Sequence, residues 1–243
     1  MLRTIKYGES RLIVDMFTRE HGRLSFIASV GKGGRSAVKK QYFQPLTLLA
    51  LECDLRPRRQ LQSLRSAELL FPWQSLLTEP GKLAICLFVA EFLYHALRGE
   101  QRDERLFDYV RTSLQWLDGR QDRYANFHLV FLMRLSRFLG FFPNLSVEGV
   151  HGGKTGSGGM YFDLRAATFC PDMPSHHDFL MPAEASHIQP LMRMDFATMH
   201  LFRLSRAERG RLLEVMTRYY RLHLPDFPEL RSLQVLQELY DAV

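Results

Sequence analysis

The chain has 243 residues, and its hydrophobic content of 46% and aromatic content of 12% are enough to build a folded core and to exclude a disordered tail. Its three cysteines, Cys53, Cys86 and Cys170, are odd in number and widely separated, which excludes a disulfide framework and predicts a reducing, cytoplasmic location. No apolar run reaches the roughly 20 residues that a membrane span requires, and Arg3 and Lys6 are followed by charged residues instead of the apolar core of an export signal.

The net charge of +6 is concentrated in the first quarter of the chain. Residues 1–65 contain 13 Lys/Arg and 5 Asp/Glu, whereas the remaining residues contain 19 and 21. Segregated charge of this kind predicts a polyanion-binding face in the N-terminal part. Nucleic acid is the first expectation, although an anionic membrane or an acidic protein tail would be attracted by the same field.

The first 70 residues have the period-two hydrophobic pattern of β-strands. Apolar residues alternate with polar ones over residues 11–19 and 23–30, and turns are predicted at residues 7–10 and 20–22, where a glycine permits positive φ. Strand-like runs follow at residues 45–53 and 61–70. With a short first strand that starts at Met1, five strands are expected, with a loop between the third and the fourth. Either an OB-type or an SH3-like barrel fits this spacing.

Beyond Pro72 the period becomes helical. Helices are predicted over residues 82–98, 103–117, 123–141 and 182–191, then from the Ser205–Glu208 capping box to residue 222, and last over the segment with Leu233, Leu236 and Leu239. Residues 144–182 interrupt the pattern with a glycine-rich loop and a short strand or hairpin near residues 160–169. The fold class is therefore α+β, with a domain at residues 1–72 and a helical bundle at residues 73–243 that contains an irregular insertion.

Several segments resemble bacterial RecO proteins, DNA-repair factors of the RecF recombination pathway. The resemblance is carried by Leu2-Arg3-Thr4, Tyr7-Gly8-Glu9-Ser10, residues 17–23, a Gly-Lys-Gly loop containing Ser36, Gln44-Pro45-Leu46, residues 132–143 and residues 230–239. RecO chains usually have several more residues before the segment that matches Leu2. The first strand is therefore expected to be short, or the recorded start codon to lie too far downstream.

The resemblance implies an N-terminal OB-fold and a protein that is not an enzyme. It also implies binding of single- and double-stranded DNA, annealing of complementary strands, partnership with RecR and with single-stranded-DNA-binding protein, and help in loading RecA. The location expected is cytoplasmic, in association with the nucleoid. Many RecO proteins carry a four-cysteine zinc site, but this insertion has only Cys170 and no Cys-x-x-Cys, so we predict a degenerate, metal-free version.

The basic residues of the N-terminal part are the predicted DNA-binding set, because phosphates need many cations along a track. With the one aromatic residue added for base stacking, the set is Arg3, Lys6, Arg11, Lys32, Arg35, Lys39, Lys40, Arg56, Arg58, Arg59, Arg65 and Tyr42. Phe43 is a second stacking candidate, whereas the register of Phe26 predicts a core position. The Gly31-Lys32-Gly33 loop is not a nucleotide-binding P-loop, since Gly33 replaces the Ser or Thr that binds Mg²⁺.

Two alternatives remain open at this point. The basic domain could bind an acidic protein and act as an adaptor. The insertion contains His151, Cys170, Asp172, His176, His177 and Asp178, which could serve a hydrolase, although no recognised catalytic motif accompanies them. Arg134, Arg137 and Arg206 are candidates for a basic rim that would receive the acidic tail of single-stranded-DNA-binding protein.

Overall fold

The computed structural model describes residues 1–30, 38–56, 58–99, 101–144 and 159–242, with the backbone alone for residues 239–242. Two compact units emerge: Met1–Gly119 together with Glu229–Val243, and Arg120–Pro228. Compactness thus groups some helices with the N-terminal sheet, whereas the domain limits predicted from the sequence, 1–72 and 73–243, follow the change from strands to helices. Those limits stay a prediction. No helix within the described part is long and apolar enough to span a membrane.

The first unit is built on five strands, as predicted. They are β1 (Arg3–Tyr7), β2 (Arg11–Thr18), β3 (Gly22–Ser29), β4 (Leu48–Asp54) and β5 (Leu61–Phe71). Their order is β1-β2-β3-β5-β4, and only the β3–β5 pair is parallel. The Leu46 N–H donates to the Met1 carbonyl over 2.8 Å, so the chain leading into β4 meets the chain leading into β1.

The alternation seen in the sequence sets which face of this sheet is buried. Leu12, Val14 and Met16 of β2 lie in one cluster with Phe26 and Ala28 of β3. Phe26 is 1% exposed, which confirms its predicted core position. The turns between the strands contain Gly8 and Gly22 with φ of +73° and +67°, a conformation that side chains other than glycine rarely adopt.

Three helices complete this unit: α1 (Pro80–Ala96), α2 (Glu104–Asp118) and the C-terminal helix α7 (Arg231–Ala242). The carboxylate of Asp103 accepts from the Leu106 N–H over 2.9 Å and caps α2, as the sequence predicts. Glu91 of α1 caps the start of α7, because its carboxylate accepts from the backbone N–H groups of Arg231 and Ser232. These N–H groups have no partner within their own helix.

The second unit contains α3 (Phe127–Phe138), α4 (Pro182–Ala185), α5 (Ile188–Arg193) and α6 (Arg206–His223), with a small sheet of β6 (Tyr161–Asp163), β7 (Thr168–Cys170) and β8 (Phe179–Leu180). The predicted Ser205–Glu208 capping box is confirmed at the start of α6. The helix predicted at residues 123–141 is shorter at both ends. Arg123 has φ of +60°, and the Asn126 amide donates to the carbonyls of Met199 and Phe202 over 2.9 Å each.

The single helix predicted over residues 182–191 was wrong, since the structure has α4 and α5 with a break between them. Pro190 explains the break. In one continuous helix its ring would clash with the carbonyl of Ser186 four residues earlier, and Pro190 has no N–H to donate there. Ser186 instead ends α4 and donates its backbone N–H to Pro182.

His128 of α3 makes the stability of the fold sensitive to mild acid. The ring is 1% exposed, and burial, with a further contribution from Arg209, lowers its pKa from 6.5 to about 3. The folded protein therefore keeps this ring neutral, while the unfolded chain takes up a proton below pH 6.5. The stabilisation is complete above pH 6.5 and is lost progressively as the pH falls toward 3. At pH 5 the loss relative to pH 7 is about 2 kcal/mol.

Urea unfolding at pH 7 and pH 5 measures this effect. We expect His128→Phe to remove most of that 2 kcal/mol from the pH dependence, at whatever absolute stability the variant has. An unchanged difference between the two pH values would show that His128 is not the group that titrates.

Candidate nucleic-acid interface

Arginines converge on an open cleft of about 420 Å³ in the first unit. It is lined by the start of β3, by the turn between β4 and β5, and by Arg98, which follows α1. The lining residues are Arg23, Leu24, Ser25, Arg58, Arg59, Gln60 and Arg98. We call Arg23, Arg58, Arg59 and Arg98 the arginine cleft.

Strand pairing brings these segments together. The parallel pairing of β3 with β5 sets Ser25 opposite Leu61, so Arg23 lies beside the end of the β4–β5 turn. Gln62 then fixes that turn, because its side-chain amide donates to the carbonyls of Arg56 and Arg59 over 3.0 and 2.5 Å and accepts from the Arg56 N–H. Gln62 is 4% exposed, so the turn is anchored from a buried position on β5.

A tyrosine from α1 supports two of the arginines. The Arg3 guanidinium donates to the Tyr94 hydroxyl over 2.8 Å, and the Arg23 guanidinium donates to the Tyr94 carbonyl. The guanidinium carbons of Arg3 and Arg23 lie 4.8 and 4.2 Å from the centre of the Tyr94 ring. Cation–π contacts of this kind hold a guanidinium in place without neutralising its charge.

The charge of this region is not compensated locally. Among the residues that the structure describes, no carboxylate forms an ion pair with Arg3 or with any member of the arginine cleft. Asp15, whose Cα pairs with those of Arg3 and Ser25, accepts instead from the Ser25 hydroxyl. The pKa of His95 is lowered by burial and further by Arg23, Arg3 and Arg98, while Glu91 opposes the shift.

A second basic segment precedes β4. Lys39 and Lys40 are both exposed at the start of a short 3-10 turn, Lys40–Phe43, and the Lys39 ammonium lies 5.8 Å from the centre of the half-buried Tyr42 ring. Phe43, considered from the sequence as a base-stacking residue, was a wrong candidate, because it is 5% exposed and belongs to the hydrophobic core cluster of the sheet. Its burial anchors the turn.

The remaining residues of the predicted set are dispersed. Lys6, Arg11 and Arg56 are exposed on β1, on β2 and in the β4–β5 turn, and Arg65 forms an ion pair with Asp54. Lys32 and Arg35 lie outside the described residues. The structure thus brings Arg3, Arg58 and Arg59 together with Arg23 and Arg98, which the sequence prediction did not include. The hydrophobic pattern of α1 gives no sign that Tyr94 and Arg98 face the sheet.

The polar residues of the insertion are used for local structure. His176 lies 3.2 Å from Asp163, and Asp178 forms ion pairs with Arg165 and Arg218. Burial, with Asp163 and Asp172 nearby, raises the pKa of the Cys170 thiol, which opposes the thiolate form that a nucleophile or a zinc ligand needs. Within the described part no three metal-binding side chains converge, and His151 lies outside it. These donors do not fit a zinc site.

Comparison with known proteins now identifies the family. The family model described as "Recombination protein O N terminal" matches residues 1–73, and "Recombination protein O C terminal" matches residues 77–234. The chain belongs to the RecO family of DNA repair proteins. A DNA repair protein RecO from Phocaeicola vulgatus is 48% identical over 240 residues, covering 99% of this chain and 96% of that protein. The RecO proteins from Bacteroides fragilis and Porphyromonas gingivalis are 46% and 34% identical. Each of these two matches covers 99% of this chain and 97% of the relative.

Membership in the RecO family settles two questions. The N-terminal domain of RecO is an OB-fold, so the strand order described above is that of an OB-fold and the SH3-like alternative is excluded. RecO proteins are non-enzymatic mediators of DNA repair, so the hydrolase hypothesis for the insertion is set aside. The protein is therefore a non-enzymatic DNA repair mediator of this family.

Proposed function

We propose that this RecO chain binds single- and double-stranded DNA and anneals complementary strands. It would do so through the basic face of its first unit, which contains the OB-fold and is called the OB unit below. With RecR, it would then help to load RecA on DNA coated by single-stranded-DNA-binding protein. The observation that supports this most is the group of arginines, Arg3 with the arginine cleft, that share one region of the OB unit and have no carboxylate partner within the described residues. The protein would act in the cytoplasm, in association with the nucleoid.

Charge neutralisation gives annealing a physical basis. Two complementary strands repel each other through their phosphates, and a cationic surface that binds both lowers this repulsion while releasing condensed counterions. Because the contacts are with phosphates and not with base edges, the surface serves any sequence. We therefore expect affinities for oligo(dT) and oligo(dA) of equal length that agree within about threefold.

The second unit offers a candidate surface for protein partners. The acidic, apolar tail of single-stranded-DNA-binding protein needs cations beside an apolar surface. Arg137 is exposed and its guanidinium lies 4.2 Å from the centre of the Phe142 ring, while Phe138 beside it is 37% exposed. Arg206 is exposed at the start of α6, whereas Arg134 donates to the Met194 carbonyl. Arg137 and Arg206 are thus better placed for a partner than Arg134.

Salt titration tests the proposal. For single-stranded DNA, log K falls with log salt by about 0.7 for each phosphate contact, so five contacts predict about a 100-fold loss of affinity between 50 and 200 mM salt. Fluorescence anisotropy with a labelled oligo(dT) measures this dependence. Affinity that hardly changes with salt, or no binding at 50 mM salt, would contradict the proposed function.

The same uncompensated arginines also favour a second candidate, an adaptor that binds an acidic protein. Competition separates the two functions. If the protein binds DNA, unlabelled oligonucleotide displaces the labelled strand at lower charge concentration than polyglutamate does, because the guanidinium fork matches phosphate and the strand supplies a regular array of charges. Stronger displacement by polyglutamate would favour the adaptor.

A further inference from the structure

The arginine cleft has features of a built anion site. Bringing like charges together costs free energy. Among the described residues, no carboxylate forms an ion pair with the cleft that would offset this cost. An anion entering the cleft would relieve that repulsion. The Arg23 guanidinium is also held before any ligand arrives, since it donates to the Tyr94 carbonyl, and Gln62 fixes the backbone of the turn that carries Arg58 and Arg59. Pre-ordered side chains lose less conformational entropy on binding.

Resting on the proposed function, we infer that the arginine cleft is the principal phosphate-binding site of the protein, with Arg23 and Arg98 as phosphate ligands and Tyr94 as the residue that positions Arg3 and Arg23. The site therefore includes α1 and the residues that follow it, beyond the strands of the OB-fold. It is built from different segments than Lys39, Lys40 and Tyr42, whose contribution is a separate one.

The chemistry of the lining favours phosphate backbone over bases. Each guanidinium can give two parallel hydrogen bonds to one phosphate, a geometry that lysine cannot offer. The Tyr94 ring already has two guanidinium groups within cation–π distance, so it serves as their support instead of as a platform for a base. Among the described residues that line the cleft, Leu24 is the only apolar one, which leaves little surface for stacking.

The test replaces the two ligands that the sequence prediction did not include, Arg23 of β3 and Arg98 after α1. We expect Arg23→Gln with Arg98→Gln to weaken binding of labelled oligo(dT) by about tenfold for each arginine. The slope of log K against log salt should become less steep by about 1.4, because two phosphate contacts are lost. Arg193→Gln with Arg203→Gln removes two charges from exposed positions of the second unit and should leave the affinity within about twofold, and the slope within about 0.3, of the wild-type values.

A single variant serves as the control for loss of folding in the double variant. Arg23 is half-buried and bonded to Tyr94, whereas the Arg98 side chain is exposed, so Arg98→Gln alone keeps the test valid if the double variant unfolds. We expect Arg98→Gln to weaken binding about tenfold and to reduce the slope by about 0.7.

Tyr94 is tested by a conservative and a disruptive change. Tyr94→Phe keeps the ring and loses only the bond to Arg3, so affinity within about threefold of wild type is expected. Tyr94→Leu removes the support of both arginines and should weaken binding about tenfold while leaving the salt slope unchanged, since the charges are still present. A purely structural role would instead lower the melting temperature of Tyr94→Leu without a selective loss of affinity.

The outcomes separate this inference from the proposed function. If the wild-type protein fails to bind the oligonucleotide at low salt, the proposed function itself is wrong, and this inference with it. If the wild type binds and the folded Arg98→Gln variant keeps its affinity and slope, only the assignment of the cleft is overturned. The same holds if the arginine variants lose binding to polyglutamate but not to DNA.

Discussion

Reversing the charge of Lys39, Lys40, Arg58 and Arg59 to glutamate is expected to weaken binding of single-stranded DNA at least about 100-fold at 50 mM salt. Each lost charge-assisted contact costs about 1.5 kcal/mol and each new carboxylate repels the phosphates, so the two effects act in the same direction. The four replacements also cancel the whole positive excess of residues 1–65, where 13 Lys/Arg face 5 Asp/Glu. Anisotropy titrations with the same oligonucleotide measure the effect.

The variant should fold normally. All four side chains are exposed and none forms an ion pair with a described residue, while the bonds that fix the β4–β5 turn use the backbone of Arg59 and not its side chain. Circular dichroism and the melting temperature verify this. Arg193→Glu with Arg203→Glu is the matched control for each half of the variant. If the folded variant bound DNA within about threefold of wild type, the basic OB unit would not be the DNA-binding face.

Separating the two halves of that variant shows what each segment contributes. We expect Arg58→Glu with Arg59→Glu to have the larger effect, because those arginines share the cleft with Arg23 and Arg98. Lys39 and Lys40 lie in a different segment, at the start of the short turn before β4. Each lysine offers a phosphate a point charge, whereas an arginine can give it two parallel hydrogen bonds.

The sheet could be predicted because its signal is local. The alternation of Leu12, Val14 and Met16 with polar residues gives both the strand and its buried face, and Gly22 gives the turn. The helices were predicted less well at their ends, where distant contacts compete with helical propensity. Asn126 is the example, since its amide bonds residues more than 70 positions away. The effect of Pro190, in contrast, is local and was missed.

The candidate site could be predicted only in part. The cations of the N-terminal segment, including Arg3, Arg58 and Arg59, stand out in the sequence through the asymmetry of charge. Tyr94 and Arg98 lie in a later segment with no charge excess, and their contact with the sheet depends on how α1 packs within the unit. A single sequence contains no signal for that packing, nor for the bonds by which Gln62 of β5 fixes the β4–β5 turn.

A second consequence of packing that the sequence hides is the polar network around Asp118, at the end of α2. Its carboxylate accepts from three consecutive backbone N–H groups, those of Gln74, Ser75 and Leu76, over 2.8 to 3.1 Å. Lys82 is 1% exposed and donates to the Ser75 hydroxyl and the Asp118 carbonyl over 2.7 and 3.3 Å. These bonds attach the chain between β5 and α1 to the end of α2.

Removing this carboxylate should cost more stability than any other single change we propose. Asp118→Ala leaves three N–H groups without their acceptor at a position that is 6% exposed, and we expect a loss of about 3–5 kcal/mol in the free energy of unfolding. Asp118→Asn keeps one acceptor oxygen and should lose about half as much. Asp122→Ala is the control, since the Asp122 side chain is 77% exposed and its pairing with Arg123 should contribute less than about 0.5 kcal/mol.

The pH dependence identifies the ionised carboxylate as the group responsible. Burial alone would raise the pKa of Asp118, but the N–H groups of Gln74, Ser75 and Leu76 and the Ser75 hydroxyl outweigh it, so the pKa lies below its usual value. The stabilisation is thus present above about pH 4, where the unfolded chain is also ionised, and is lost as the pH falls through the lower pKa of the folded state. Urea unfolding should therefore show the gap between wild type and Asp118→Asn narrowing below about pH 4. A gap that stays constant down to pH 3, or an Asp118→Ala loss below about 1 kcal/mol, would mean that the carboxylate does not hold this junction together.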